Sequence, residues 1–152
     1  MKTRQYVYPF SKGDGKNKKL LGGKGANLCE MTQIGLRVPP GFVITTEACL
    51  DHLEQKKSGL NPALSKQIRA SMVELEKETG KEFGDPQNPL LVSVRSGAAM
   101  SMPGMMDTIL NLGLNEASVA GLIAISKNER FVYDLYRKIG RASCRERVYR
   151  AV

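Results

Sequence analysis

A single histidine and three cysteines are all that this 152-residue sequence offers as soft metal ligands. His52, Cys29, Cys49 and Cys144 lack the spacing of a zinc site, which excludes a metal centre of the Cys/His kind. Cys29 and Cys49 stand in apolar-periodic stretches, where a thiol is read as core packing and not as a nucleophile. His52 lies in a helical pattern outside any catalytic motif and is read as structural. Long hydrophobic runs are also missing: none approaches the roughly 20 residues that a membrane span requires. The opening MKTRQYVYPF has neither the apolar stretch nor the small-residue cleavage site of a secretory signal. The expectation is a soluble, cytoplasmic chain without internal repeats.

Acidic residues are the minority, 15 against 23 lysines and arginines, for a net charge of +8. An excess of that sign is the footprint of phosphate-backbone binding. Here it does not form a patch. Arg141, Arg145, Arg147 and Arg150 face only Glu146 in residues 139–152, and the other cations are scattered apart from the KNKK run at Lys16 to Lys19. Nucleic acid is therefore not expected as a partner. A hydrophobic content of 41% and a charged content of 25% are ordinary for a globular domain.

Tyr6 to Phe10 is β-prone but contains Pro9, which confines a strand there to a sheet edge, and SKGDGKNKK after it reads as a mobile basic loop. The spacing of Ala26, Leu28, Cys29, Met31 and Thr32 predicts a helix over 25–34, ended by Gly35. Pro39-Pro40-Gly41 then breaks the chain before a β-branched run, Phe42 to Thr45, with Thr45 or Thr46 as the cap of the next helix. Helices are predicted over 47–57 and 62–79, the second opened by Asn61-Pro62 and closed by Gly80. Leu90 to Arg95 suits a buried strand that delivers Arg95 at its end. Asp107 to Leu112 reads as another strand, and 116–126 and 128–138 as helices capped by Asn115 and Asn128. The fold class is α+β, with mixed helix and strand.

Two segments carry candidate chemistry. In Leu20-Leu21-Gly22-Gly23-Lys24-Gly25, a glycine pair lets backbone approach a ligand, the following helix offers free N–H groups, and Lys24 adds a point charge. All three favour an anion. The string is neither a P-loop nor a dinucleotide fingerprint, so a glycine turn with a surface lysine is an equal alternative. In Val92-Ser93-Val94-Arg95-Ser96-Gly97, an arginine leaving a strand can present its planar fork to phosphate oxygens, with Ser96 and the Gly97 backbone as further donors. An ion pair with Asp85 or Asp107 would use the same arginine structurally. The cluster of Met100, Met102, Met105 and Met106 around Ser101, Pro103 and Gly104 is either adaptable packing or a lid over a phosphoryl-transfer site. Asp107 reads as a cap before it reads as a metal ligand.

LLGGKGANLCEM, VPPGFVITTEAC, TGKEFGDPQNPLLVSVRSGAAMSMPGMMDTILNLGLN and NERFVYDLYR together, over residues 5–137, resemble the pyruvate phosphate dikinase family. The phosphoenolpyruvate synthases share a GGK-type turn and a VRS-type strand end, but SGAAMSMPGMMDTILNLGL is nearer the dikinase form. The resemblance implies an ATP-grasp-like nucleotide domain in an enzyme that converts ATP, orthophosphate and pyruvate into AMP, diphosphate and phosphoenolpyruvate through a phosphohistidine. It implies that Lys24 and Arg95 contact ATP phosphates as the catalytic pair. Gly22, Gly23, Ser96, Gly97, Ser101 and Gly104 would join them in binding the nucleotide. Mg2+ would enter with ATP, and its acidic ligands would lie outside these 152 residues, as would the histidine and the pyruvate-binding barrel.

Residues 1–114 are accordingly expected to form part of the nucleotide-binding subdomain and 115–138 the first helices of a helical insertion. Residues 139–152 would be a basic, non-native tail, because IGRASCRERV resembles the conceptual translation of a sequencing-adapter oligonucleotide. The implied parent is a homo-oligomer whose full turnover this piece alone would not support. A phosphoenolpyruvate synthase fragment and a stand-alone nucleotide or phosphate module are the alternatives.

Overall fold

The computed structural model describes residues 4–54, 59–97 and 108–150, with side chains described as far as residue 140. Among them the chain is α+β, and it divides into two compact units. One holds 4–54, 59–78 and Gly97, and the other holds 79–96 and 108–150.

In the first unit β1 (Val7–Pro9) pairs antiparallel with β2 (Phe42–Ile44), with Val7 opposite Ile44 and Pro9 opposite Phe42. Alternation along this ribbon sends its side chains to opposite faces. Tyr6, Val7 and Phe42 pack with Ala48 and Leu64, whereas Tyr8 and Val43 pack with Leu21, Ala26 and Cys29. The ribbon is thereby held between α1 (Lys18–Gln33) on one face and α2 (Thr46–Glu54) with α3 (Pro62–Thr79) on the other. Pro9, which has no N–H to give a ladder, is the last residue of β1.

The free edge of β1 is closed by a side chain. Gln67 of α3 accepts hydrogen bonds from Tyr6 N at 2.7 Å and Val7 N at 3.2 Å, and its Nε2 donates to Arg4 O at 2.8 Å. One amide thus satisfies backbone groups of two buried residues as a neighbouring strand would. Nearby, Arg4 bonds Glu47 and Asp51, and the Tyr6 hydroxyl donates to Asp51 at 2.9 Å.

The caps follow the sequence closely. Gly35, at φ 84°, ends α1 with Leu36 N bonded to Met31 O and Gly35 N to Thr32 O, the paired bonds of a Schellman ending. The Asn61 side chain accepts from Ala63 N, and Gly80 at φ 65° follows α3. Thr45, rather than Thr46, caps α2: its buried hydroxyl accepts from Ala48 N.

The SKGDGKNKK segment is turn and loop as far as Asn17, as expected, and its last two lysines open α1. Lys12 N and Gly13 N both bond Pro9 O, and Gln33 Nε2 holds Gly13 O at 2.6 Å. A Cβ on Gly13 would lie 2.5 Å from Cys29 Sγ, so glycine lets this turn lie flat on α1. Cys29 is buried as expected, but Cys49 is exposed on the outer face of α2, which corrects its reading as packing.

In the second unit β3 (Val92–Arg95) pairs antiparallel with β4 (Thr108–Leu112). The register runs from Val92 opposite Leu112 to Val94 opposite Ile109, so β4 carries one extra residue. Asn111 takes up the bulge at φ 60°, a left-handed conformation that asparagine tolerates. β3 was expected to be buried. Instead Leu90, before the strand, is buried, while Val94 is 49% exposed. Apolar composition is compatible with either, because covering a face requires a partner layer that no single strand specifies.

α4 (Glu116–Ser126) and α5 (Glu129–Arg150) form a helical hairpin around Leu114, Val119 and Val132. Asn115 and Ser118 make a reciprocal capping box, and Asn128 accepts from Phe131 N at the start of α5. α5 runs past residue 139 to Arg150 as one helix. The 84–88 turn packs on α4, where Gly121 admits the carbonyl of Pro86. None of the helices searched, across the described residues, is long and apolar enough to cross a membrane.

Replacing Gln67 with leucine keeps its bulk but strands two buried N–H groups, and is expected to lower unfolding free energy by about 1–3 kcal/mol in urea titrations. A second expectation concerns pH. The bond to Asp51 pushes the Tyr6 hydroxyl above its ordinary value of 10.0, and burial pushes the Cys29 thiol above 9.0. Both groups keep their protons longer folded than unfolded. Their stabilisation is whole below about pH 9 and is lost as pH rises through that range and beyond. The urea midpoint should fall on alkaline titration, less steeply for Tyr6→Phe.

Candidate functional site

The Gly22 to Gly25 turn lies inside α1. Helix begins at Lys18, where Asn17 Oδ1 accepts from Leu20 N, and it is broken at Gly22, whose φ of 69° and ψ of 165° belong to glycine almost alone. The predicted start at residue 25 is thus a restart, and a first helical turn precedes it. Across such a break, N–H groups that would have bonded the preceding turn stand at a new helix N-terminus. Lys24 is exposed there and makes no ion pair among the described residues.

What holds the break is close packing. A Cβ on Gly22 would lie 2.8 Å from the Gly97 carbonyl oxygen, and one on Gly25 would lie 2.7 Å from Val43 Cγ1. Gly22 and Gly25 are both buried. The backbone of Gly97 therefore rests on the turn, 3.9 Å from Lys24 Cβ measured from its own missing Cβ position. Thr46, the first residue of α2, donates its hydroxyl to Lys19 O at 2.6 Å, with Leu20 O at 3.2 Å. The sequence marked Thr46 only as a possible cap; no one-dimensional signal shows a hydroxyl crossing to another helix.

Arg95 belongs to the second unit, as the last residue of β3. It is exposed and makes no ion pair among the described residues. Asp85, one of its two suggested partners, instead accepts from Gln87 N at 2.8 Å within its own turn. The other, Asp107, lies outside the described residues, as do Ser101, Gly104 and the methionine cluster. Ser96 Oγ is buried without a hydrogen-bond partner among the described residues. Such an orphan is uncommon in a folded protein.

Gly22, Gly23, Lys24 and Gly97 are thus brought together in one unit, and Arg95 and Ser96 adjoin in the other. Glycine-shaped backbone, a restarted helix N-terminus and a lysine without an ion pair among the described residues are features that favour an anion. Residues 18–65 match the family described as pyruvate phosphate dikinase, AMP/ATP-binding domain. The chain is 60% identical over 134 residues to the pyruvate, phosphate dikinase of Entamoeba histolytica, covering 88% of the chain and 15% of that relative. It is 51% identical over 134 residues to the enzyme of Clostridium symbiosum, with 88% and 15% covered. It is 56% identical over 136 residues to a chloroplastic pyruvate, phosphate dikinase of Mesembryanthemum crystallinum, with 87% and 14% covered. The matched stretch is similar to these dikinases, and the chain spans about 15% of the length of the first two relatives.

Gly22→Ala should cost about 1–3 kcal/mol for the backbone conformation alone, with the overlap against Gly97 added. Gly35→Ala is the control: φ is also positive, but nothing lies within 4 Å of the added methyl. Urea titration of both variants should find Gly22→Ala the more destabilised.

Proposed function

We propose that this chain is the ATP-binding part of a pyruvate phosphate dikinase, and that its two units are parts of an ATP-grasp-like nucleotide domain with α4 and α5 opening a helical subdomain. The parent would transfer phosphoryl groups from ATP to orthophosphate and, through a phosphohistidine outside this chain, to pyruvate. The observation that carries the reading is the break at Gly22 beneath Gly97, which sets Lys24 at a fresh helix N-terminus.

Phosphoryl transfer asks mainly for positioning and charge neutralisation, because the donor brings its own leaving group. Lys24 supplies a compact charge beside free N–H groups, while Arg95 supplies a planar fork that can hold two oxygens at once. In one unit Gly22, Gly23 and Gly97 leave backbone open to an anion, and in the other the orphaned Ser96 hydroxyl suits a ligand oxygen. Ser101 and Gly104 belong to the same reading by sequence. Mg2+ bound to ATP would neutralise phosphate charge further. By the family resemblance, the ion's protein ligands are proposed to come from elsewhere in the parent, which is proposed to be cytoplasmic.

Calorimetric titration of the chain with Mg-ATP is expected to show binding that Lys24→Ala and Arg95→Ala each weaken by roughly 10-fold to 100-fold, the loss of a charge-assisted bond. Unchanged affinity in both variants would refute these roles.

A further inference from the structure

We infer that Thr46 is a positioning residue for the phosphate turn, acting through the backbone of α1. This rests on the proposed role of the Gly22 to Lys24 turn. In an uninterrupted helix the N–H of Gly23 would bond Lys19 O, and that of Lys24 would bond Leu20 O. The conformation of Gly22 takes both N–H groups off that path and leaves two carbonyls in need of donors. The one proton of the Thr46 hydroxyl serves Lys19 O at 2.6 Å, with Leu20 O at 3.2 Å as the weaker, shared acceptor.

A broken helix has two ways to satisfy such carbonyls. It can close again, recapturing the N–H groups of Gly23 and Lys24, or it can find a donor from outside. Thr46 is the outside donor, and it competes with closure. Its own place is firm: the adjacent Thr45 is 1% exposed, its N–H bonds Tyr6 O at 2.9 Å, and its hydroxyl caps α2. The tie therefore runs from the β1–β2 ribbon through the start of α2 to the turn before Gly22. The released N–H groups stay aimed away from their own helix, available to an anionic oxygen.

Valine is the informative substitution, since it keeps the shape of threonine and removes the hydroxyl; serine keeps the donor. Amide resonances of isotopically labelled chain, read before and after Mg-ATP, separate the tie from the ligand. Thr46→Val should move the Gly23 and Lys24 amides in the absence of nucleotide and slow their hydrogen exchange as they return to helical partners. It should also weaken Mg-ATP binding roughly 5-fold to 10-fold, the size of one lost hydrogen bond. Thr46→Ser should match the unaltered chain in both. Unmoved amides in Thr46→Val, or displaced ones in Thr46→Ser, would overturn the tie. Moved amides with undiminished affinity in Thr46→Val would overturn its role in positioning. Should the unaltered chain bind no Mg-ATP, the nucleotide reading fails on its own, and the amide comparison still decides the tie.

Discussion

The left-handed backbone of Gly22, with the Gly97 carbonyl pressed where a side chain would begin, governs the arrangement around it. Any other residue there would meet both a forbidden dihedral region and a carbonyl oxygen, so the break in α1 depends on the absence of a single methyl group. Because the helix breaks, its first turn needs an external donor, which Thr46 supplies. Because it restarts, Lys24 stands at a positive helix end instead of midway along a helix flank. A lysine at such an end is unfavourable for the helix alone, and becomes favourable when an anion shares the site.

Small polar groups do much of the joining in the first unit, where the apolar clusters are modest. Gln67 replaces a missing strand for Tyr6 and Val7, Thr45 and Thr46 link the ribbon to two helices, and Gln33 pins the turn at Gly13. Where the bonded groups are buried, as at Tyr6, Val7 and Ala48, leaving them unpaired would cost more than the bond itself gains. The second unit relies more on its helical hairpin, with Asn115, Ser118 and Asn128 fixing the helix starts over one apolar cluster.

The ends of elements were legible because each is written in a residue with a local mechanism. Asn61-Pro62, Gly80, Gly35, Asn115 and Asn128 act within four residues of themselves, and all fall where the chain starts or stops a helix. Exposure was not legible in the same way. Cys49 and Val94 stand in apolar stretches yet face outward, since burial depends on what another part of the chain lays over them. In the SKGDGKNKK segment the turn was legible, but not that its glycines let it pack on Cys29 and Glu30.

For the candidate site, the residue types alone marked two segments where an anion could be held, the Gly22 to Lys24 turn and Arg95 at a strand end, each with a structural alternative of equal weight. The family strings carried that inference to ATP. Tertiary structure decided that the glycine pair interrupts a helix that began earlier, that Gly97 is the group lying on it, that Asp85 is engaged in its own turn, and that Thr46 bonds the carbonyls left by the break. Those are contacts between residues far apart in the chain. Periodicity and capping act over one or two turns, whereas a carbonyl 75 residues away touches Gly22 only after the chain has folded back on itself.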